Sequence, residues 1–268
     1  MSPNPRSDAD EQQPGDSDSG SDGDSGRETE SDGVGAMGSS DSLVSPRIEA
    51  LAALELTPRR VEVRRLAQAM RDIIEALVSS TAETEDLALA ADDLERLARV
   101  LGALPGGQTY QGFAEAAMAG ELPDDAETWA FFDHSPFIGL ANPMSPPMRI
   151  AFEGDKVVCD VTFGSAYEGP PGCVHGGYVA GAFDELLGAA QSLSGTQGMT
   201  AHLGVDYRRP TPLHVPLRME GWVDRREGRK IWAKATIVAD GELRAEAEGL
   251  FISFDPADFR RLIEARDE

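Results

Sequence analysis

Residues 169–190 read GPPGCVHGGYVAGAFDELLGAA, and this stretch decides how the rest of the chain is arranged. Pro170 and Pro171 hold the incoming backbone extended, and Gly176 and Gly177 permit close approach where a helix would start. From Tyr178 to Ala190 nearly every side chain is apolar or small, and a helix apolar all round is a buried one. Asp184 and Glu185 interrupt that run. A carboxylate held away from water is paired, protonated or functional, because an isolated buried ion is costly.

Working outward, strands flank the helix. MRIAFEG and KVVCDVTF alternate on either side of a Gly154-Asp155 turn and read as a hairpin. After the helix come AHLGVDYRR, VPLRMEGWVD, KIWAKATIVAD and ELRAEAEGLFISF, with turns at Glu227-Gly228 and Asp240-Gly241. In the third of these, Ile231, Ala233, Ala235 and Ile237 alternate with Trp232, Lys234, Thr236 and Val238, the pattern of a sheet with one buried face. Two strands, one buried helix and a run of antiparallel strands make an α+β layout in which the sheet curls around the helix.

Upstream, residues 1–45 are Ser, Asp, Gly, Glu and Pro with almost no large apolar side chain, and are expected to be a disordered acidic tail. Residues 46–104 hold two amphipathic segments. Thr57 and Pro58 cap and open the first, whose stripe is Val63, Leu66, Ala67, Met70, Ile73, Ile74 and Leu77. The second runs from Thr84 to Leu101, with Leu87, Leu94, Leu97, Ala98 and Leu101 on one face. Together they are expected to form an antiparallel helical hairpin packed on the rest of the chain or on a partner. Residues 105–130 read as a connector, 131–256 as the main domain and 257–268 as a C-terminal tail.

The 268 residues carry a formal net charge of -23, which argues against nucleic acid or an anionic membrane as partner. Cys159 and Cys173 offer neither a disulfide framework nor zinc-ligand spacing, so a reducing cytoplasm is expected and no metal. No apolar run approaches a membrane span, and the N-terminus lacks the order of a signal peptide.

The candidate chemistry gathers at His175, Gly176, Gly177, Asp184 and Thr200. The first N–H groups of a helix have no internal partner and can donate to an oxygen that is becoming negative. Asp184, two turns on, could serve as general base on water or attack directly. The bland alternative is that the glycines allow tight packing and the two acids sit where the helix emerges. A serine triad is excluded for want of a Gly-x-Ser-x-Gly elbow, and the four histidines are scattered.

His175-Gly176-Gly177, with Asp184, Thr200 and Arg209-Pro210 at their spacings, resembles the hot-dog acyl-CoA thioesterases of the PaaI type over Phe131 to Phe254. The resemblance implies a hot-dog fold, a curved antiparallel sheet wrapped around a central helix, paired as a homodimer or dimer of dimers with active sites at the interface. It implies hydrolysis of an acyl-CoA thioester to a carboxylic acid and CoA, with no cofactor. The Gly176 amide would polarise the carbonyl and Asp184 would be base or nucleophile. Thr200 would come from the other subunit and hold the attacking water, and His175 would lie near the sulfur or orient the loop. Gly177 and Phe183 would touch substrate, with Leu187 and the 131–140 loop as further walls of the acyl pocket, and either Arg208 and Arg209 or Arg225 and Arg226 with Arg229 and Lys230 would meet the CoA phosphates. Many members carry Asn six residues before the histidine; here that position is Gly169. The alternatives are an acyl-CoA-binding protein without turnover, and an assembly protein built on the N-terminal extension.

Overall fold

The computed structural model describes residues 57–106, 133–146, 148–196 and 198–253. The acidic tail, nearly all of the connector and the C-terminal tail lie outside the described residues. The elements in chain order are α1 (Pro58–Val78), α2 (Thr84–Gly102), β1 (Arg149–Glu153), β2 (Lys156–Val161), a 3₁₀ turn (Ser165–Tyr167), α3 (Gly176–Ser192), β3 (Gly198–Tyr207), β4 (Leu217–Glu227), β5 (Lys230–Ala239) and β6 (Glu242–Ser253). All six strands fall where alternation places them, and β3 starts three residues earlier than its pattern suggests.

The strands form one antiparallel sheet in the order β1-β2-β4-β5-β6-β3. Its concave face receives α3, which is the hot-dog arrangement. The close seat depends on small inward residues. Ala233, Ala235, Ala245 and Ala247 are buried, and a Cβ at Gly221 would lie only 3.3 Å from Leu186 and Ala190. Into this shallow face α3 presses Val179, Ala182, Phe183, Leu186, Leu187 and Ala190, all at most 1% exposed. Each large side chain so buried contributes about 1.5–3 kcal/mol. Ile231 and Ile237 line the same core, as alternation along β5 requires, while Trp232, Lys234, Thr236 and Val238 are on the outer face and only partly covered. Cys159 is wholly buried and burial pushes its thiol up to about 12, so it behaves as a small hydrophobe.

Two expectations need correction. First, α3 is not covered on every side. One stripe meets the sheet, while Gly177 and Asp184 are exposed and Ala180, Gly181 and Gly188 are only partly covered. An unbroken run of small and apolar residues cannot distinguish a helix enclosed by its own chain from one with an open flank.

Second, of the two N-terminal helices expected to pack on the rest of the chain, only α1 does so among the described residues. No residue of α2 is buried, and Leu87, Leu94 and Leu97 remain 37–40% exposed. Helix α1 starts as expected, with Pro58 in its first turn and Thr57 Oγ1 accepting from the Arg60 N–H at 3.3 Å. It docks, however, through a polar face. Arg60, Arg64, Arg71 and Glu75 recur at helical spacing and reach the main domain. Asp133 takes Arg64 at 2.6 and 2.9 Å and Arg60 at 3.3 Å. Arg71 donates to the carbonyls of Leu140 and Asn142 at 3.3 and 2.9 Å from Nη1. Glu75 accepts from the N–H groups of Ser165 and Ala166 at 2.9 and 3.1 Å.

Burial alone would raise the Glu75 carboxyl, but the Ser165 N–H and hydroxyl, the Ala166 N–H and the nearby His214 together more than offset it and leave it below the ordinary range. A carboxyl lowered in the folded state adds stability above its unfolded pKa, and that stability is lost as pH falls through the folded value. Glu75→Gln is therefore expected to cost about 1–2 kcal/mol at neutral pH. In thermal melts the gap between variant and parent should close on acidification; a gap independent of pH would contradict this account.

Candidate active site

The turn before α3 is a miniature hairpin. Gly169 N–H donates to Cys173 O at 2.9 Å, Cys173 N–H to Pro170 O at 2.9 Å, and Glu168 bridges Val174. Val174 N–H and His175 N–H then donate to Thr211 O and Tyr167 O, both at 2.8 Å, which fixes where the helix begins. Gly169 is required by this geometry. A Cβ there would stand 2.7 Å from His175 Cα, so the Asn carried by many PaaI-type enzymes does not fit here.

His175 is the N-cap of α3. Its Nδ1 accepts the Gly177 N–H at 3.0 Å, which assigns the ring proton to Nε2. Tyr178 and Val179 donate to the His175 carbonyl at 2.9 and 3.3 Å. Of the first helical N–H groups only that of Gly176 has no acceptor among the described residues. A capping histidine was not foreseen; the signal was its place directly before two glycines at a helix start.

Asp184 is exposed, whereas Glu185 is half-buried and held in a structural pairing with Ser135. Burial raises the Glu185 carboxyl, the Ser135 hydroxyl donating at 2.9 Å opposes that shift, and the Asp184 charge adds to it. Thr200 Oγ1 donates to Asp184 Oδ1 at 3.2 Å within the same chain. Thr200 and Asp184 therefore travel together, as one pair on one protomer. The reason is the seat of α3 beside β3, together with a bulge between Thr200 and His202 that aims Thr200 at the helix.

A cleft of ≈ 250 Å³ opens at the helix start, lined by Pro136, Phe137, Met144, His175, Gly177 and Tyr178. The Phe137 ring lies over Gly181, where a Cβ would be 2.2 Å from it. Phe137 meets Tyr178 edge-on at 6.2 Å, and Tyr178 meets Tyr167 at 4.8 Å. Gly177 thus borders the cleft. Phe183 and Leu187 do not: both are fully buried in the core, because their positions on α3 face the sheet.

Arg208 and Arg209 lie at the end of β3, and both their N–H groups donate to Arg244 O at 2.9 Å. Their side chains are already paired, Arg208 with Glu246 and Asp206, and Arg209 with Glu242 at 2.6 Å. Those carboxylates offset the pull on a phosphate, which spacing along the sequence could not reveal. Among the described residues Arg226, Arg229 and Lys230, around the β4–β5 turn, have no carboxylate partner.

Because the space at Gly169 is taken by His175, Gly169→Asn is expected to lower stability by about 1–3 kcal/mol through overpacking. A thermal midpoint equal to the parent's would show that the turn has room after all.

Against this geometry the comparisons are informative. The sequence model of the thioesterase superfamily matches residues 171–246, from the turn into the first half of β6. Acyl-coenzyme A thioesterase THEM4 of Xenopus laevis is 38% identical over 103 residues, which are 38% of this chain and 46% of that protein. The THEM4 protein of Bos taurus is 37% identical over 103 residues, 38% of this chain and 42% of its own length. The chain thus spans less than half the length of these curated relatives. The crystal structure of a thioesterase superfamily protein superposes with a TM-score of 0.60 at 32% identity, covering 71% of this chain and 94% of that one. With that likeness extending over nearly the whole of a solved relative, the chain belongs to the thioesterase superfamily.

Proposed function

We propose that the protein hydrolyses acyl-CoA thioesters to a carboxylic acid and CoA. The observation that carries the reading is the Gly176 N–H. Its neighbour's amide is taken by the His175 cap, and it is left without an acceptor beside an apolar cleft. A thioester carbonyl seated there would gain a hydrogen bond that strengthens as the oxygen becomes negative. Asp184 is the base. Thr200 occupies its Oδ1 and leaves Oδ2 to take a proton from water. The hydroxide forms the new C–O bond, the C–S bond breaks, and the proton passes to the CoA thiolate. The matched relatives named acyl-CoA thioesterases support this reading.

A single protomer cannot perform the step. Gly176 and Asp184 are eight residues apart on one helix, about 12 Å along its axis. Each is tied to a different end of β3: Tyr207 Oη donates to Gly176 O at 2.8 Å, and Thr200 holds Asp184. Strand β3 is a ten-residue edge strand with its outer N–H and C=O groups unpaired in the sheet. A second copy pairing antiparallel along β3, about a two-fold axis near its middle, would bring Gly176 of each protomer opposite Asp184 of the other. The reading therefore includes a homodimer with two shared sites.

Asp184→Asn is expected to lower kcat on acyl-CoA by about 10²–10⁴, measured as free thiol released. Gly176→Pro removes the N–H at the first helical position, where proline is tolerated, and should cost about 10²–10³ in kcat. Mixed and refolded together, the two inactive variants should regain about a quarter of parental activity, since half the dimers are mixed and each holds one intact site. A mixture as inactive as its components would overturn the shared site. Retention of acyl-CoA by the parent without thiol release would favour a binding protein without turnover.

A further inference from the structure

Helix α1 lies outside the matched thioesterase segment, yet its polar contacts converge on the cleft. Half of the cleft lining, Pro136, Phe137 and Met144, sits on residues 133–146, a stretch with neither a long helix nor a strand. Such a stretch has few internal constraints and takes its shape from what holds its ends. One attachment comes from α3, where Ser135 Oγ donates to Glu185 and itself accepts from the Phe137 and Ile138 N–H groups at 3.2 and 3.3 Å. A second comes from the 3₁₀ turn, where Tyr167 Oη donates to Met144 O at 3.5 Å. Further ones come from α1. Arg64 grips Asp133, whose side chain is 9% exposed, two residues before Ser135. Arg71 takes the carbonyls of Leu140 and Asn142, and Asn142 Oδ1 in turn accepts from the Met144 N–H at 2.9 Å. Glu75 fixes the 3₁₀ turn carrying Tyr167, the ring against which Tyr178 stands.

We propose that α1 is the specificity-determining element of the enzyme: through Arg64, Arg71 and Glu75 it positions the apolar wall of the cleft and so decides which acyl groups reach the Gly176 amide. None of the three touches the reacting atoms, so they are positioning residues. The proposal rests on the acyl-CoA reading above, and deepens it by assigning acyl selection to a helix outside the segment that the thioesterase family model matches.

The test uses the full chain with Arg64→Met and Arg71→Met, and Arg64→Lys as the conservative variant, assayed on acetyl-, butyryl-, octanoyl- and palmitoyl-CoA. The parent's profile over these substrates defines its preferred acyl length. For that substrate the Met variants are expected to raise KM about tenfold, the loss of burial of one to two methylenes, with kcat within twofold. KM for acetyl-CoA should stay near the parent's, and Arg64→Lys should recover most of the change. An unaltered chain-length profile in both Met variants overturns the proposal, as does an equal fall in kcat for every substrate, which is the mark of general destabilisation. A parent that hydrolyses none of the four refutes the proposed function instead. The clamp is then judged by calorimetry, comparing non-hydrolysable octanoyl-CoA ether with free CoA, where the same selective loss of affinity is required.

Discussion

A seventeen-residue helix can lie in the hollow of one curved sheet only if the sheet's inner face is shallow. Ala233, Ala235, Ala245, Ala247 and Gly221 make it so, and the Leu and Phe side chains of α3 supply the apolar area that the small residues lack. This division of size, large on the helix and small on the sheet, lets the backbones approach and sets the position of α3 relative to β3. Every feature of the candidate site follows from that position. Tyr207 reaches the start of the helix and Thr200 reaches its middle because β3 runs alongside it.

The same packing leaves the site divided. The Gly176 N–H and the Asp184 carboxylate stand beside opposite ends of an edge strand, too far apart along α3 to meet over one small group. An edge strand is ordinarily a liability, since its free N–H and C=O groups invite association. Here a symmetric pairing along β3 would use that liability to join the halves. Asp184, exposed in one chain, would then face a cleft whose opposite wall belongs to a second copy. The neighbouring Glu185 has the contrasting environment. Covered by residues 133–146 and bonded to Ser135, it serves the shape of the cleft wall.

Helix α1 departs from the usual logic of an amphipathic helix. Its face toward the domain sets charged side chains around the buried Ala67, and its polar contacts are buried or half-buried ion pairs and hydrogen bonds to backbone groups. The Arg64–Asp133 pair is two-pronged, and the geometry of guanidinium and carboxylate makes such a contact directional. Contacts of this kind contribute modestly to stability but fix orientation, which suits a segment whose task is to hold a loop in place. An apolar docking face would tolerate sliding; a fork holding Asp133 and paired carbonyls do not.

Sequence alone determined the strands, the central helix and the candidate residues, because alternation, turn glycines and the His-Gly-Gly start are local signals. Even the purpose of Gly169 was half legible, as a departure from the family's Asn, though only the fold showed that His175 fills the space the side chain would need. What the tertiary structure decided was which groups face one another. That His175 caps α3 through Nδ1, that Thr200 belongs to the same chain as its Asp184, that Phe183 lies in the core and that Arg208 and Arg209 are already paired all depend on contacts between residues distant in sequence. Hydrophobic periodicity reports which face of an element avoids water. It is silent on which polar groups meet across elements, and this protein's site and its α1 clamp are built from such meetings.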